Sequence, residues 1–256
     1  TLMRSSAASD VYKRQVYMRI KHSREQAGRK RQNTGMIKGV IFDMDGTMFD
    51  TERLSSYCWK RTGENLGINV TDELMNDCRG KNPAVIRRLY MEAFGETFNY
   101  DAARAAKHVI FNEIIAGDGV PVKKGLEELL GYLEKQEIKK AVATSTEKKR
   151  ASKLLQDAGV YEKMDAFVYG DEIKESKPDP EIFRVAAEKI GCKPEECLVL
   201  EDSEAGLRAG IALGGAIIYI PDIAIVPEQV TAKVTETLAD LGKVIGWLEA
   251  HRCNAK

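Results

Sequence analysis

Short apolar segments alternate with helical segments over the second half of this 256-residue chain, and this alternation constrains the fold most. The predicted strands are Val40–Phe42, Lys140–Thr144, Ala166–Tyr169, Leu198–Glu201 and Ala216–Ile220. Strands that are apolar on both faces and alternate with helices form parallel sheets with helices on both sides. The pattern therefore predicts an α/β fold with a doubly wound parallel sheet.

The segment between the first two predicted strands, Asp50 to Gly117, has helical periodicity throughout. Its first helix is predicted to begin after Thr51, whose hydroxyl group would cap the helix. We therefore predict a helical cap domain at residues 51–118, inserted after strand one. Residues 36–50 and 119–256 would form the core domain around the sheet.

The composition is that of a globular protein, with 43% hydrophobic residues. No apolar run approaches the length that crosses a bilayer, so we expect no membrane partner. The five cysteines show neither a CxxC spacing nor a nearby histidine cluster, which argues against a zinc site or a disulfide framework. A reducing cytoplasm is the expected location, and we expect a monomer.

Residues 1–35 carry nine Lys or Arg and two acidic residues, which leaves the remainder with a net charge of −7. A basic arm would ordinarily suggest nucleic acid. However, Ser5–Gln15 translates back to a nucleotide string that resembles a transposase adapter used in sequencing libraries. We interpret residues 1–15 as translated adapter and 1–35 as a non-native or flexible extension, with Met36 favoured over Met18 as the native start. We therefore expect no nucleic-acid partner.

Two carboxylates, Asp43 and Asp45, follow the first strand, and Gly46 comes next. Residues two apart on a strand point to the same side, so the two acidic groups would repel each other. A divalent cation with oxygen ligands would relieve this repulsion, and Mg²⁺ is the usual choice in phosphate chemistry. The plainer alternative is that both are turn residues.

Polar residues also follow the other predicted strands: Thr144 and Ser145 after the second, Lys177 beyond the third, and Glu201 with Asp202 at the fourth. Ligands of doubly wound sheets bind at the carboxyl ends of the strands. Each residue alone has an ordinary alternative, either a helix cap or a surface lysine. Their coincidence at four strand ends favours one shared site.

This set of groups suits phosphoryl transfer, which asks mainly for positioning and neutralisation of charge. Asp43 would attack phosphorus and form an aspartyl-phosphate. Asp45 would protonate the leaving alkoxide and then activate water. Mg²⁺ and Lys177 would offset the carboxylates and the phosphate.

The sequences DMDGT (Asp43–Thr47), the strand-end Thr144, the lysine of SKPDP (Lys177) and LEDS (Leu200–Ser203) are similar to the four motifs of the haloacid-dehalogenase superfamily. The helical insertion resembles the small cap of its β-phosphoglucomutase-like branch. The resemblance implies a Rossmann-like core in which strand one is central, a mobile cap and Mg²⁺.

The resemblance also implies a role for each matched residue. Asp43 would be nucleophile and metal ligand, and Asp45 would be the acid and base and give a backbone carbonyl to the metal. The remaining roles are phosphoryl binding by Thr144, Ser145 and Lys177, metal binding by Asp202 with Glu201, and substrate contact by the cap loop Arg79, Gly80 and Lys81.

Two positions distinguish a phosphatase from a mutase within this branch. β-Phosphoglucomutases carry a histidine and an arginine in the cap where this chain has Ser55 and Pro83. True dehalogenases lack the second aspartate, here Asp45. We therefore predict a phosphatase that acts on a small, sugar phosphate-like metabolite. The alternatives are a hexose-phosphate mutase and, more distantly, a non-catalytic phospho-receiver module, which would be shorter and lack the helical insertion.

Overall fold

The computed structural model describes residues 36–79 and 83–252. Residues 1–35, with their predicted adapter segment, and the predicted substrate contacts Gly80 and Lys81 lie outside the described residues. The predictions for them therefore stay predictions.

Six parallel strands form one sheet in the order β3-β2-β1-β4-β5-β6. The strands are β1 (Gly39–Phe42), β2 (Lys139–Thr144), β3 (Ala166–Tyr169), β4 (Cys197–Glu201), β5 (Ala216–Tyr219) and β6 (Glu236–Thr237). Ile41 of β1 pairs with Ala141 on one side and with Val199 on the other. The predicted Rossmann-like α/β fold with strand one at the centre of the sheet is therefore confirmed.

The described residues form ten α-helices, of which the first five lie between β1 and β2. The first four are α1 (Thr51–Leu66), α2 (Asp72–Cys78), α3 (Pro83–Phe94) and α4 (Tyr100–Asp118). The others are α5 (Leu126–Lys135), α6 (Lys148–Asp157), α7 (Glu181–Lys189), α8 (Glu204–Leu213), α9 (Glu228–Thr231) and α10 (Gly242–Arg252). None of the described helices combines the length and the apolarity that a bilayer-spanning segment needs.

The predicted element boundaries differ from the structure mainly near the carboxyl terminus. Neither α9 nor β6 was predicted, because both are short and β6 is an exposed Glu-Thr pair without an apolar pattern. The last helix, α10, begins at Gly242. β6 is the edge strand of the sheet, and α9 has one buried residue, so few buried side chains mark these two elements in the sequence.

The two faces of the sheet bury separate apolar clusters because successive side chains of a strand point in opposite directions. Val40 and Phe42 pack in the cluster that includes Leu129 of α5. Ile41 packs in the cluster that includes Phe183 of α7. β1 is thus buried on both faces. The residues that follow it lie at the carboxyl-terminal edge of the sheet, between β2 and β4.

Helices α1 to α4 bury an apolar cluster of their own. Trp59, Tyr90 and Tyr100 lie at its centre, and the Trp59 and Tyr90 ring centroids are 4.4 Å apart. A separate cluster of this kind is what an inserted helical cap requires. The domain boundaries at residues 51 and 118 stay a prediction.

Candidate active site

A cavity of about 800 Å³ lies between the carboxyl ends of the central strands and helices α1 and α4. Its lining includes six of the predicted site residues at the strand ends: Asp43, Asp45, Thr144, Ser145, Lys177 and Asp202. The seventh, Glu201, is fully buried directly behind this surface. The structure therefore brings together the acidic, hydroxyl and lysine groups that the sequence placed at four separate strand ends.

Lys177 is the central cation of the site. Its ammonium group donates to Asp43 Oδ1 at 2.5 Å and to Glu201 Oε1 at 2.8 Å, and all three side chains are nearly inaccessible to solvent. Burial alone would lower the pKa of Lys177, but the two carboxylates outweigh it and hold that pKa above its usual value. Lys177 is therefore a fixed positive charge and not a surface lysine.

Glu201 has protein donors on both carboxylate oxygens. One oxygen accepts from Lys177, and the other accepts from the Ser203 backbone N–H at 2.7 Å and from its hydroxyl at 3.0 Å. A Cβ atom at Gly206 would lie 1.6 Å from Glu201 Oε1, so only glycine fits there. The Ser203 hydroxyl caps α8 by accepting from the Gly206 N–H, which leaves Glu201 and Asp202 free of the capping role.

Asp202 is buried, and no cation among the described residues forms an ion pair with it. One of its oxygens accepts from the Thr47 hydroxyl at 3.1 Å, and the other accepts no hydrogen bond from a described residue. That second oxygen would lie 2.3 Å from a Cβ at Gly46, where φ is +91°, so the backbone passes very close to it. Burial raises the pKa of Asp202 well above its usual value, and the neighbouring Glu201 and Asp43 carboxylates raise it further.

The donor set fits a divalent cation. Oxygen atoms of Asp43, Glu201 and Asp202 lie within 4.8 Å of one another, and Lys177 supplies one positive charge to three carboxylates. Burial also raises the pKa of Asp43, opposed by Lys177 and reinforced by Glu201, so ionising all three acids requires more positive charge. Because the oxygens of Glu201 are engaged, Asp43 and Asp202 are the groups best placed to hold Mg²⁺.

Asp45 is oriented by hydroxyl groups. Thr51 donates to one of its oxygens at 2.6 Å, while Thr146 at 2.7 Å and Thr144 at 3.4 Å donate to the other. The prediction that Thr51 caps α1 is wrong, because the helix begins at Thr51 itself and the side chain turns toward Asp45. Thr51 and Thr146 are thus site residues that sequence reasoning did not assign.

Thr144 and Ser145 do not cap the helix that follows them. The Thr144 hydroxyl accepts from the Thr146 N–H at 3.0 Å, and α6 has no side-chain cap. Ser145 is exposed at the surface of the cavity. The hydroxyls and amides of this loop thus face the space beside Asp43 and Asp45.

Residues 37–214 match the family model of haloacid dehalogenase-like hydrolases. The chain belongs to this family. It is 32% identical over 188 residues to the phosphorylated carbohydrates phosphatase of Thermotoga maritima, covering 72% of this chain and 84% of that one.

Two crystal structures share the architecture of this haloacid dehalogenase-like hydrolase. CbbY of Rhodobacter sphaeroides, in complex with phosphate, is 26% identical with a TM-score of 0.70 over 82% of this chain and 96% of that one. A Thermotoga maritima protein provisionally assigned as a β-phosphoglucomutase is 26% identical with a TM-score of 0.69 over 84% and 99%. The predicted branch of the family and the predicted phosphoric monoester hydrolase class are confirmed.

The cap side of the hydrolase's cavity carries charged residues, of which Arg79 alone was predicted. Arg79 donates to the Ser56 hydroxyl at 3.1 Å, and its Nε lies 3.9 Å from Glu52 Oε2. Arg79 therefore lies at the cavity, but its contact with substrate stays a prediction.

Lys107 is a buried cation that sequence reasoning missed. It lies on α4 in line with Ala103, Phe111 and Ile115, at a spacing of four residues that forms the buried stripe of the helix. A lysine within an otherwise apolar stripe was the available signal. Its side chain lines the cavity, and the residue is 4% exposed.

Because Lys107 is buried, we expect the free energy of unfolding of the protein to depend on its ionisation. Burial, reinforced by Arg150, lowers the pKa of Lys107 to about 7, against weaker opposing effects of Cys58, Glu52 and Asp45. Between pH 7 and the unfolded pKa near 10.5, the unfolded chain binds a proton that the folded protein has released. Stability contributed by this group therefore rises with pH across that window.

The measurement is the free energy of unfolding of wild type and of Lys107→Met in denaturant at pH 7 and pH 9. Wild type should gain on the order of 2 kcal/mol relative to the variant as the pH rises. Taking the difference between the two proteins cancels the titration of residues that they share. A difference that is constant with pH would show that Lys107 keeps an ordinary pKa in the folded protein.

Proposed function

We propose that this hydrolase is a Mg²⁺-dependent phosphatase that removes phosphate from small phosphorylated carbohydrates through an aspartyl-phosphate on Asp43. The observation that supports it most directly is the placement of Asp43 between the Lys177 ammonium group and the buried Asp202 at the floor of the cavity. The Thermotoga maritima relative is named for phosphorylated carbohydrates, which motivates the substrate class. We also expect cytoplasmic location and a monomer.

The substrate phosphate would lie between Asp43 and the loop of Thr144 and Ser145. Lys177 holds one oxygen of Asp43, so the carboxylate faces the cavity in a defined orientation. The hydroxyl and amide groups of the loop would donate to the phosphoryl oxygens. Bound at Asp43 and Asp202, Mg²⁺ would neutralise charge on the phosphoryl group and on the carboxylates.

The reaction would proceed in two steps, formation of the aspartyl-phosphate and its hydrolysis. Asp43 forms a bond to phosphorus while the bond to the leaving oxygen breaks, and Asp45 gives that oxygen its proton. Asp45 then takes a proton from water, which attacks phosphorus and releases inorganic phosphate and the free Asp43 carboxylate. The three threonine hydroxyls that hold Asp45 would keep it on the side of the leaving group.

A hexose-phosphate mutase is the second candidate, favoured by the structural similarity to the Thermotoga maritima protein. A mutase must protect its aspartyl-phosphate from water while a sugar phosphate reorients. Ser55, at the position of the mutase histidine, lines the cavity and has a shorter side chain. This supports the hydrolytic outcome over the mutase.

The products of one assay separate these candidates. The protein is incubated with a β-sugar 1-phosphate, a bisphosphate activator and Mg²⁺, and a parallel reaction contains a chelator instead of the metal. We expect free phosphate in excess of the 6-phosphate isomer, and only with the metal. Dominant isomer would identify a mutase, and stoichiometric phosphorylation of the protein without turnover would identify a phospho-receiver.

A further inference from the structure

Two cations face the cap side of the cavity together. The Lys107 ammonium group lies 5.0 Å from the centroid of the Phe111 ring, and the Arg150 guanidinium carbon lies 4.5 Å from it. Both residues line the cavity, Lys107 from α4 and Arg150 from α6. A packed aromatic ring therefore holds two like charges in one small region.

Lys107 and Arg150 have no acidic partner among the described residues, whereas three other cations that line the cavity do. The paired cations are Arg79 with Glu52 at 3.9 Å, Arg104 with Glu147 at 3.5 Å, and Lys153 with Asp157 at 2.9 Å. No carboxylate among the described residues lies within 4.0 Å of Lys107 or Arg150. Within that part of the chain, the Lys107 ammonium group also has no hydrogen-bond acceptor.

The nearest polar neighbour of Arg150 does not neutralise it. Its guanidinium group contacts Nε2 of His108. Burial lowers the pKa of His108 to about 3, so the imidazole is neutral at physiological pH and can accept from Arg150. Arg150 therefore keeps its charge in this contact. A bound anion would also favour the protonated form of Lys107, whose pKa burial lowers to about 7.

We propose that Lys107 and Arg150 form a second anion-binding subsite, which takes a carboxylate or a second phosphate carried by the leaving group of the substrate. This inference rests on the proposed function for the position of the first phosphate. Asp45 would protonate the leaving oxygen, and its carboxylate acts electrostatically on both cations. The leaving group would therefore extend from Asp45 toward Lys107 and Arg150.

The two ends of the cavity carry opposite excess charges. The Asp43 and Asp202 end holds more negative charge than Lys177 offsets, while the Lys107 and Arg150 end holds unpaired positive charge. A phosphorylated compound with a distal anion would satisfy both ends in one orientation. A planar guanidinium beside an ammonium group suits either a carboxylate or a phosphate, through charge-assisted hydrogen bonds.

Matched substrates test the subsite. Phosphate release is measured from glucose 6-phosphate against 6-phosphogluconate, and from fructose 6-phosphate against fructose 1,6-bisphosphate, with wild type, Lys107→Met and Arg150→Met. In each variant we expect kcat/KM for the doubly anionic member of a pair to fall about 10- to 100-fold further than for its partner. The gluconate pair reports a carboxylate, and the bisphosphate pair reports a phosphate.

Lys153→Met is the matched control, because Lys153 lies on the same wall but is exposed and paired with Asp157. It should leave both ratios unchanged. Thermal unfolding of each variant shows whether it is folded. Equal losses for both members of each pair, or no loss, would overturn the subsite.

Binding separates this proposal from the phosphatase proposal. Calorimetry with the Asp43→Asn protein and Mg²⁺ measures affinity for 6-phosphogluconate and glucose 6-phosphate without turnover. A preference for 6-phosphogluconate that disappears when Lys107→Met is added supports the subsite even if wild type releases no phosphate from any of the sugar phosphates assayed, an outcome that would refute the phosphatase. Equal affinity for the two compounds, and likewise for the two fructose phosphates, would refute the subsite whether or not phosphate is released.

Discussion

Replacing Asp43 with asparagine should lower kcat for phosphate release by roughly 1,000-fold or more, with the fold intact. The amide has nearly the shape of the carboxylate but cannot act as the nucleophile. Lys177 keeps its second partner, Glu201, at 2.8 Å, so the buried ammonium group remains paired. The measurement is single-turnover and steady-state phosphate release on the substrate that wild type hydrolyses fastest.

The same substitution should not lower the thermal stability. The pKa of Asp43 is raised because burial disfavours its charged form, so the folded protein pays for ionising this group at neutral pH. The neutral amide avoids that cost. Glu96→Gln, at an exposed acid that does not line the cavity, is the control for removing one negative charge. Hydrolysis by Asp43→Asn at the wild-type rate would reject Asp43 as the nucleophile.

Replacing Lys177 with methionine should abolish measurable turnover and destabilise the protein by about 3 to 5 kcal/mol at neutral pH. The variant removes the ion-pair partner that Asp43 and Glu201 have among the described residues, and the neighbouring Asp202 has no such partner in that part of the chain. Methionine fills most of the space of the lysine stem, so the loss reports charge more than volume. Denaturant unfolding of wild type and variant gives the difference in free energy directly.

The destabilisation should depend on pH with a definite sign. In the wild-type protein, burial and the neighbouring carboxylates already raise the pKa values of Asp43 and Asp202. Lys177 opposes this rise at Asp43, so its removal should raise the pKa of Asp43 further. Stability then falls as the pH rises through the unfolded pKa near 4 toward the folded pKa values. The variant should therefore be closest to wild type at acidic pH.

A second-site change gives the matched control for Lys177. Adding Glu201→Gln to Lys177→Met removes one of the carboxylates left unpaired and should recover part of the stability but none of the activity. Lys189→Met, at a half-exposed lysine that pairs with Glu172, should change the free energy of unfolding little. A Lys177→Met protein as stable as wild type at neutral pH would show that the acidic groups are not ionised together.

The candidate site was predictable from sequence where parallel strands end. Asp43, Thr144 and Asp202 stand at the carboxyl ends of β1, β2 and β4, which are neighbours in the sheet. The geometry of a parallel sheet brings such positions to one edge, so strand prediction and residue type were enough to group them. Lys177 was assigned to the site because of the SKPDP motif around it. The structure shows that its ammonium group pairs with Asp43 and Glu201.

The amino-acid sequence by itself determined the class of the fold and the acidic, hydroxyl and lysine set, because strand periodicity and strand ends are local patterns. Only the tertiary structure decided that Thr51 serves Asp45 instead of a helix end, and that Lys107 and Arg150 meet over one ring. The physical reason is that these groups come from helices, whose side chains meet the strand ends through packing between elements far apart in the chain. The local hydrophobic pattern of a helix does not show which other element its buried face will contact.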